Sequence, residues 1–427
     1  MALNTDLSDA PKPQYEAYYE DEDRTFWLKS ESTGHYIRCD RTMMRMKLRQ
    51  LGFAHTSEDG SLPEVDVELL RIVEENHVIY AGPLAGKPAG LLAENRRVLV
   101  TSDPKFIKPV PGDWSDLENF WSKLLGDQDV WLYGWLHVAY EALYNGMVRP
   151  GQILAIAGEP GCGKSLAQVL ISELFGRSCK PFRYMSGGSS FNGDLFMAEH
   201  LCIGDEAAGT DIRTRRHFGK ELKQVASEPS HSCHKKGCDA FNLSPFWRCT
   251  ITLNDDGENL LVLPPMDTSM VDKTILLKAI KATDESMKDG FKTQLKQRLV
   301  AQLPAFAAWL LEIEVPSELA DDRYGIKSWQ HPELMAMLGE HSPEERLWEL
   351  IVEVLLSGKE KRVEMTAAAI EEALMAGHRS AGKVFTFATA CGVYLGRLEA
   401  KKDGRVGRVA RSHPWTLSLI EDGKAAS

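Results

Sequence analysis

No stretch of this 427-residue chain approaches the 18 or more consecutive apolar residues of a membrane span. Its opening, MALNTDLSDA, lacks the charged-then-apolar order of a secretory signal. Both absences set the expectation of a cytoplasmic protein with no membrane partner. Cysteine is sparse: eight residues are scattered along the chain, so reduced thiols are expected rather than a disulfide framework. Positive charge is not in excess either. Fifty Lys and Arg stand against 61 Asp and Glu, a formal net charge of −11. That balance argues against a uniformly basic nucleic-acid coat protein and leaves local patches open. Repeats and low-complexity tracts are missing. What remains is 43% hydrophobic and 26% charged residues, an ordinary globular composition with length for a sizeable core and several domains.

Local pattern divides the chain. Residues 1–25 are an acidic, proline-containing lead-in. Short β-like runs broken by glycine follow, as in HVIYAGPLAG and NRRVLVTSDPKFIKPV, and predict a small α+β domain over residues 1–110. Residues 111–150 read as a helical collar, with Trp131, Leu132, Trp135, Leu136, Ala139 and Leu143 at helical spacing. Pro150-Gly151 breaks that pattern, and the apolar run QILAIAG has the character of a strand buried on both faces. Over residues 151–280 such strands alternate with helical stretches, predicting an α/β core with a parallel sheet. Residues 281–345 read as a helical lid. Residues 346–427 read as helices followed by a two-stranded ribbon ending in WTLSLI, a winged-helix-like unit.

The strongest signal is Gly158-Glu159-Pro160-Gly161-Cys162-Gly163-Lys164-Ser165, which fits G-x-x-x-x-G-K-S/T between the strand QILAIA and the helix SLAQVLISELF. Glycines let backbone N–H groups turn inward around the phosphates of a nucleotide, and the helix start adds positive potential. Lys164 is placed to neutralise phosphate charge and the Ser165 hydroxyl to bind Mg²⁺, which makes ATP with Mg²⁺ the expected cofactors. The helix carries Leu166, Val169, Leu170 and Leu174 as a face to pack on the sheet. A second glycine pair, Gly82-Pro-Leu-Ala-Gly86-Lys87, is one residue too short and is followed by Pro88 where a hydroxyl belongs; it reads as a β-turn.

A phosphate loop alone does not separate kinases, GTPases and motor ATPases. About 40 residues after Lys164, the apolar run His200-Leu-Cys-Ile-Gly ends in Asp205-Glu206. Asp205 is suited to holding Mg²⁺ and Glu206 to polarising an attacking water, although a strand ending in a solvated acidic loop has the same pattern. A further β-rich run, Trp247-Arg-Cys-Thr-Ile-Thr-Leu, ends in Asn254, suited to orienting that water or to capping the turn that follows.

The order and spacing of these three elements resemble superfamily 3 helicases, the AAA+ class of viral and phage replication proteins. More narrowly, they resemble the ATPase part of phage and prophage primase-helicases, including the poxvirus type. The resemblance implies an AAA+ P-loop NTPase core in which Lys164, Ser165, Asp205, Glu206 and Asn254 close the nucleotide site. It implies a homo-oligomer, a hexameric ring, moving on single-stranded DNA, with a primase as a replication partner. The N-terminal region itself carries no recognisable primase motif. Between the acidic pair and the asparagine, the family has a β-hairpin that points cations into the ring channel; here His234, Lys235 and Lys236 fall at its tip, where lysines offer charge to phosphate. The family's Gly-Gly-Asp is absent from this stretch. His231, Cys233, His234 and Cys238 also invite a zinc reading, but H-x-C-H-x3-C is not a common structural spacing.

A ring ATPase of this kind needs a cation from the neighbouring subunit. Where the family places an arginine, this chain has Lys273, which lacks the guanidinium fork. Arg213, Arg215 and Arg216 are the alternative trans-acting candidates. Finally, residues 379–413 hold eight Lys or Arg against two acidic residues, a basic face suited to DNA phosphate. The expected function is therefore an ATP-dependent DNA helicase or translocase of a phage or mobile element. Two other readings are a DNA-binding initiator or loader ATPase that does not unwind processively, and a nucleotide-switched interaction protein in host–phage conflict.

Overall fold

The computed structural model describes residues 14–419 apart from 58–59, 94–96, 205–211, 237, 265, 282–288, 341–342, 358–360, 380, 386–387 and 409–413; for 212–216, 257–258, 289–292, 340 and 383 only the backbone is described.

The N-terminal strands β1 (Ala17–Glu20), β2 (Thr25–Lys29), β3 (Tyr36–Cys39) and β4 (His77–Val78) form a sheet of order β3-β2-β1-β4. Helices Arg41–Gln50 and Glu64–Glu75 cover it, burying Phe26, Met44, Leu48, Val65, Leu69 and Ile72 together. The next three strands, β5 (Tyr80–Gly82), β6 (Gly90–Leu91) and β7 (Val98–Val100), make a separate sheet of order β5-β7-β6. Tyr80, Leu84, Ala85, Val98 and Val100 pack into the central core and not into the N-terminal cluster. The opposite face of this segment, Ala81 and Leu99, packs with Tyr36 and Val78, so β5–β7 lies between the N-terminal sheet and the central core.

That central sheet is built from β8 (Ile153–Gly158), β9 (Ser178–Cys179) and β10 (His200–Ile203). After a hairpin of β11 (His231–Cys233) and β12 (Phe241–Leu243), it adds β13 (Arg248–Leu253), β14 (Thr274–Ala279) and β15 (Trp329–Gln330). All its pairings are parallel, in the order β15-β14-β8-β13-β10-β9. This is the mixed α/β architecture with a parallel sheet that the alternating pattern predicts.

Side chains of β8 alternate between two layers, as a pleated strand requires. Leu154 and Ile156 join one apolar cluster, while Ile153, Ala155 and Ala157 join the other. The first layer holds the collar helices Ser115–Leu125 and Asp129–Tyr144 and the helix Lys164–Phe175. The last of these buries Ala167, Leu170, Ile171 and Leu174, so Leu166 and Val169 lie at the margin of its packed face. Helices Asp289–Ala301 and Leu303–Glu312, expected as a lid, also pack in this layer; His137 Nδ1 lies 2.7 Å from the Leu310 carbonyl oxygen. No helix among the described residues is long and apolar enough to cross a membrane.

The C-terminal unit runs helix Pro343–Leu355, strand β16 (Arg362–Met365), helices Ala367–Gly377, Ala381–Val384 and Ala390–Ala400, then β17 (Val406–Gly407) and β18 (Trp415–Ser418). Its strands form an antiparallel sheet of order β16-β18-β17 over its own apolar cluster. Four of the eight cations expected to form a basic face are paired within the unit. Arg405 lies 2.5 Å from Glu345 and 2.6 Å from Asp403, Arg397 3.4 Å from Glu344, and Arg408 3.5 Å from Glu399, and Lys401 also binds Glu345. Hydrogen bonding to Arg405 draws the Glu345 carboxyl down to about 2. A depressed carboxyl pKa contributes stability above the unfolded-state value of about 4.3, and that stability is lost as pH falls towards 2. The unit is therefore expected to loosen between pH 4 and 2, and Glu345→Gln to remove most of this acid transition, read by tryptophan fluorescence at Trp348 and Trp415.

Candidate nucleotide site

The phosphate loop follows β8, and three of its glycines have distinct reasons. Gly161 and Gly163 adopt φ of +80° and +113°, a region that side chains disfavour. Gly158 packs so tightly on β14 that a Cβ would lie 2.8 Å from the Ala279 carbonyl oxygen. The loop opens directly into the helix Lys164–Phe175, whose first N–H groups have no intrahelical acceptor and face the loop mouth. Ser165 is exposed there.

Lys164 is 5% exposed and turns back across the loop. Its ammonium donates to the carbonyl oxygens of Gly158 at 2.7 Å and Glu159 at 2.8 Å, and to Asn254 Oδ1 at 3.3 Å. Two residues singled out 90 positions apart thus meet. The reason is topological: β13 lies between β8 and β10, so Asn254, just past the end of β13, sits beside the loop that leaves β8. Asp205 and Glu206 follow β10 and lie outside the described residues. The strand they follow ends two strand spacings from β8, about 9–10 Å.

Beneath the loop lies a polar network that motif reading missed. Gln168 Nε2 donates to the Ile203 carbonyl oxygen at 3.0 Å and to Thr250 Oγ1 at 2.9 Å, fixing the end of β10 to the helix. His200 bridges Ser172 Oγ at 2.8 Å and Thr250 Oγ1 at 2.9 Å. Burial pushes its imidazole down to about 3, so it is a neutral hydrogen-bonding link. Polar residues at helical spacing (Gln168, Ser172) on a face that should be apolar were the available signal. At the loop mouth, Glu159 pairs with Lys281 at 2.9 Å; this exposed pair lowers the Glu159 carboxyl and raises the Lys281 ammonium.

The other predicted residues are spread more widely. The β11–β12 hairpin exists, and Lys236 is exposed near its tip. Lys235 is not free, however: its ammonium lies 3.2 Å from Glu20. His234 packs its ring 5.1 Å from Phe191, Cys233 is buried in the core, and His231 stacks on Trp247, so these side chains point apart. Among the described residues no three His, Cys, Asp or Glu side chains could hold a metal. Lys273 precedes β14 at the sheet edge opposite the phosphate loop, held by Asp272 at 3.0 Å. Arg213, Arg215 and Arg216 lie on the helix Ile212–Ser227, with side chains outside the described residues.

Comparison with known proteins adds fold-level likeness. The family DUF5906, a family of unknown function, matches residues 156–269, a span that runs from β8 through the hairpin and past Asn254. No functionally curated protein matches the chain. Among solved structures, the apo C-terminal region of NrS-1 is similar with a TM-score of 0.56 at 11% identity, covering 95% of this chain and 96% of that one. Its A form gives 0.53 at 13%, covering 95% and 97%. SCCmec type IV Cch, described as an active helicase, gives 0.42 at 10%, covering 95% and 92%. At these identities the chain shares a fold with the NrS-1 C-terminal region over nearly the full length of both.

Proposed function

We propose that this protein is an ATP-dependent DNA helicase or translocase of phage or mobile-element replication, acting as a ring on single-stranded DNA. The observation that carries the reading is the insertion of β13 between β8 and β10, with Asn254 on Lys164. A site built from three neighbouring strand ends suits attack by water: one holds the phosphates, the middle one orients the nucleophile, and the third supplies the acid pair. The glycine conformations, the exposed Ser165 and the open helix start fit a nucleoside triphosphate with Mg²⁺. The bound cation would neutralise phosphate charge. Lys164 would exchange its carbonyl partners for phosphate oxygens, Ser165 and Asp205 would hold Mg²⁺, Glu206 would take a proton from water and Asn254 would orient it. A cation from the next subunit, Lys273 or one of Arg213, Arg215 and Arg216, would complete the site. We read the C-terminal unit as winged-helix-like and as an accessory nucleic-acid domain.

The test is ATP hydrolysis by the parent chain and by Glu206→Gln, with and without oligo-dT, alongside strand separation. Hydrolysis stimulated several-fold by DNA, lost in Glu206→Gln and coupled to unwinding, is the expected result. The internal pairing of Arg397, Lys401, Arg405 and Arg408 favours one second reading, a loader or initiator ATPase with a small DNA footprint. DNA-stimulated hydrolysis without strand separation would select it.

A further inference from the structure

Lys235 and Lys236 are adjacent in sequence and differ in surroundings. Glu20, the last residue of β1, is 1% exposed. Its Oε1 accepts from Lys235 Nζ at 3.2 Å and from the Ala81 backbone N–H at 3.1 Å, and its Oε2 accepts from Trp27 Nε1 at 3.2 Å. The same ammonium stands 4.3 Å above the Tyr80 ring, a cation–π distance. Tyr80 also reaches the other hairpin strand, 5.8 Å from the ring of Phe241 in β12. Two hairpin residues, Lys235 and Phe241, therefore contact Glu20 or Tyr80.

The rest of the hairpin is shaped for this seat. Asn192 donates to the Ser232 carbonyl oxygen at 2.9 Å and accepts from the His234 N–H at 2.7 Å. At Gly193 a Cβ would stand 2.8 Å from Lys235 Cγ, so the missing side chain leaves room for the lysine stem. Lys236, in contrast, is exposed, and its ammonium has no ion-pair partner among the described residues.

We propose that the N-terminal unit holds the β11–β12 hairpin through the Glu20–Lys235 ion pair, making Lys235 a positioning residue and Lys236 the hairpin's phosphate-facing cation. The second half rests on the DNA-binding reading above; the first does not. Lys235 is the one cation paired with Glu20 among the described residues, so the pair is cooperative: losing either partner undoes what the other contributes.

The test uses the full chain. Amide hydrogen exchange over residues 231–243 is measured for Glu20→Gln, Lys235→Met, the double variant and Lys235→Arg. Each single change is expected to speed exchange about tenfold, the double variant to match the singles, and Lys235→Arg to stay near the parent. Unchanged exchange, or a double effect equal to the product of the singles, overturns the anchoring. Oligo-dT affinity against salt is the second readout. Lys236→Met is expected to flatten the slope by about 0.7 for each hairpin engaged, and Lys235→Met to leave it unchanged. Equal flattening by both variants overturns the division of roles. A parent chain that binds no oligo-dT overturns the DNA-binding reading and, with it, the role given to Lys236, while the exchange result still decides the anchor.

Discussion

Lys164→Ala is expected to lower ATP hydrolysis by at least about 100-fold while leaving the melting temperature close to that of the parent. The asymmetry follows from what the ammonium touches. Its partners are two backbone carbonyls of the loop and Asn254 Oδ1, with Cys162 Sγ nearby, so removing it strands no charge. Carbonyl oxygens at a loop mouth can be satisfied by water, which limits the stability cost to about 1–2 kcal/mol. On the proposed reading, a side chain that is 5% exposed would act on phosphate in a medium of low dielectric, where its removal from the reaction would be far more costly. Phosphate release and calorimetry on the same preparation check both halves. Parent-like hydrolysis by the variant would remove the phosphate loop from the reaction.

Arg177→Met is expected to destabilise the fold by about 3–5 kcal/mol, the usual cost of leaving one partner of a buried ion pair uncompensated. Glu199, just before β10, has no exposed side-chain surface. Its carboxylate accepts Arg177 Nη2 at 2.7 Å, Nε at 3.2 Å and backbone N–H at 3.1 Å, and the Gly86 N–H at 3.2 Å. The variant keeps the two backbone donors and loses the one cation paired with Glu199 among the described residues. Glu199→Gln, which removes the charge as well as the pairing, is expected to cost less. Urea unfolding of both variants decides the matter; equal and small effects would mean that water reaches the carboxylate.

Much of the geometry of the loop after β8 was legible because it is local. The loop Gly158–Ser165 needs positive φ, close approach and a helix start within eight residues, and only a few residue types allow that. The Gly82–Lys87 turn was legible for the same reason: Lys87 N–H bonds the Leu84 carbonyl oxygen at 3.0 Å, and Gly86 holds φ of +71° against Phe246. What was not legible depends on distant pairings. Nothing in the hydrophobic run of β13 shows that it enters between β8 and β10. Lys235 beside Lys236 reads as one cationic pair until Glu20, 215 positions away, takes one of them. The basic run of residues 379–413 likewise gave no sign that Glu344 and Glu345, before it in sequence, would pair with three of its cations.

Lys273 and Lys164 stand at opposite ends of the adjacent parallel strands β14 and β8, separated by a six-residue strand, roughly 20 Å. For Lys273 to reach a phosphate held by another copy, the edge of one molecule must meet the loop face of the next. A two-fold axis can satisfy that only by pairing both sites at once, which two distant edges of a single sheet resist. Head-to-tail contact satisfies it repeatedly and leaves an unmatched edge at each end until the circle closes. Such a circle has a handedness and a sense of rotation, and an open arc of the same molecules has one fewer composite site than it has members.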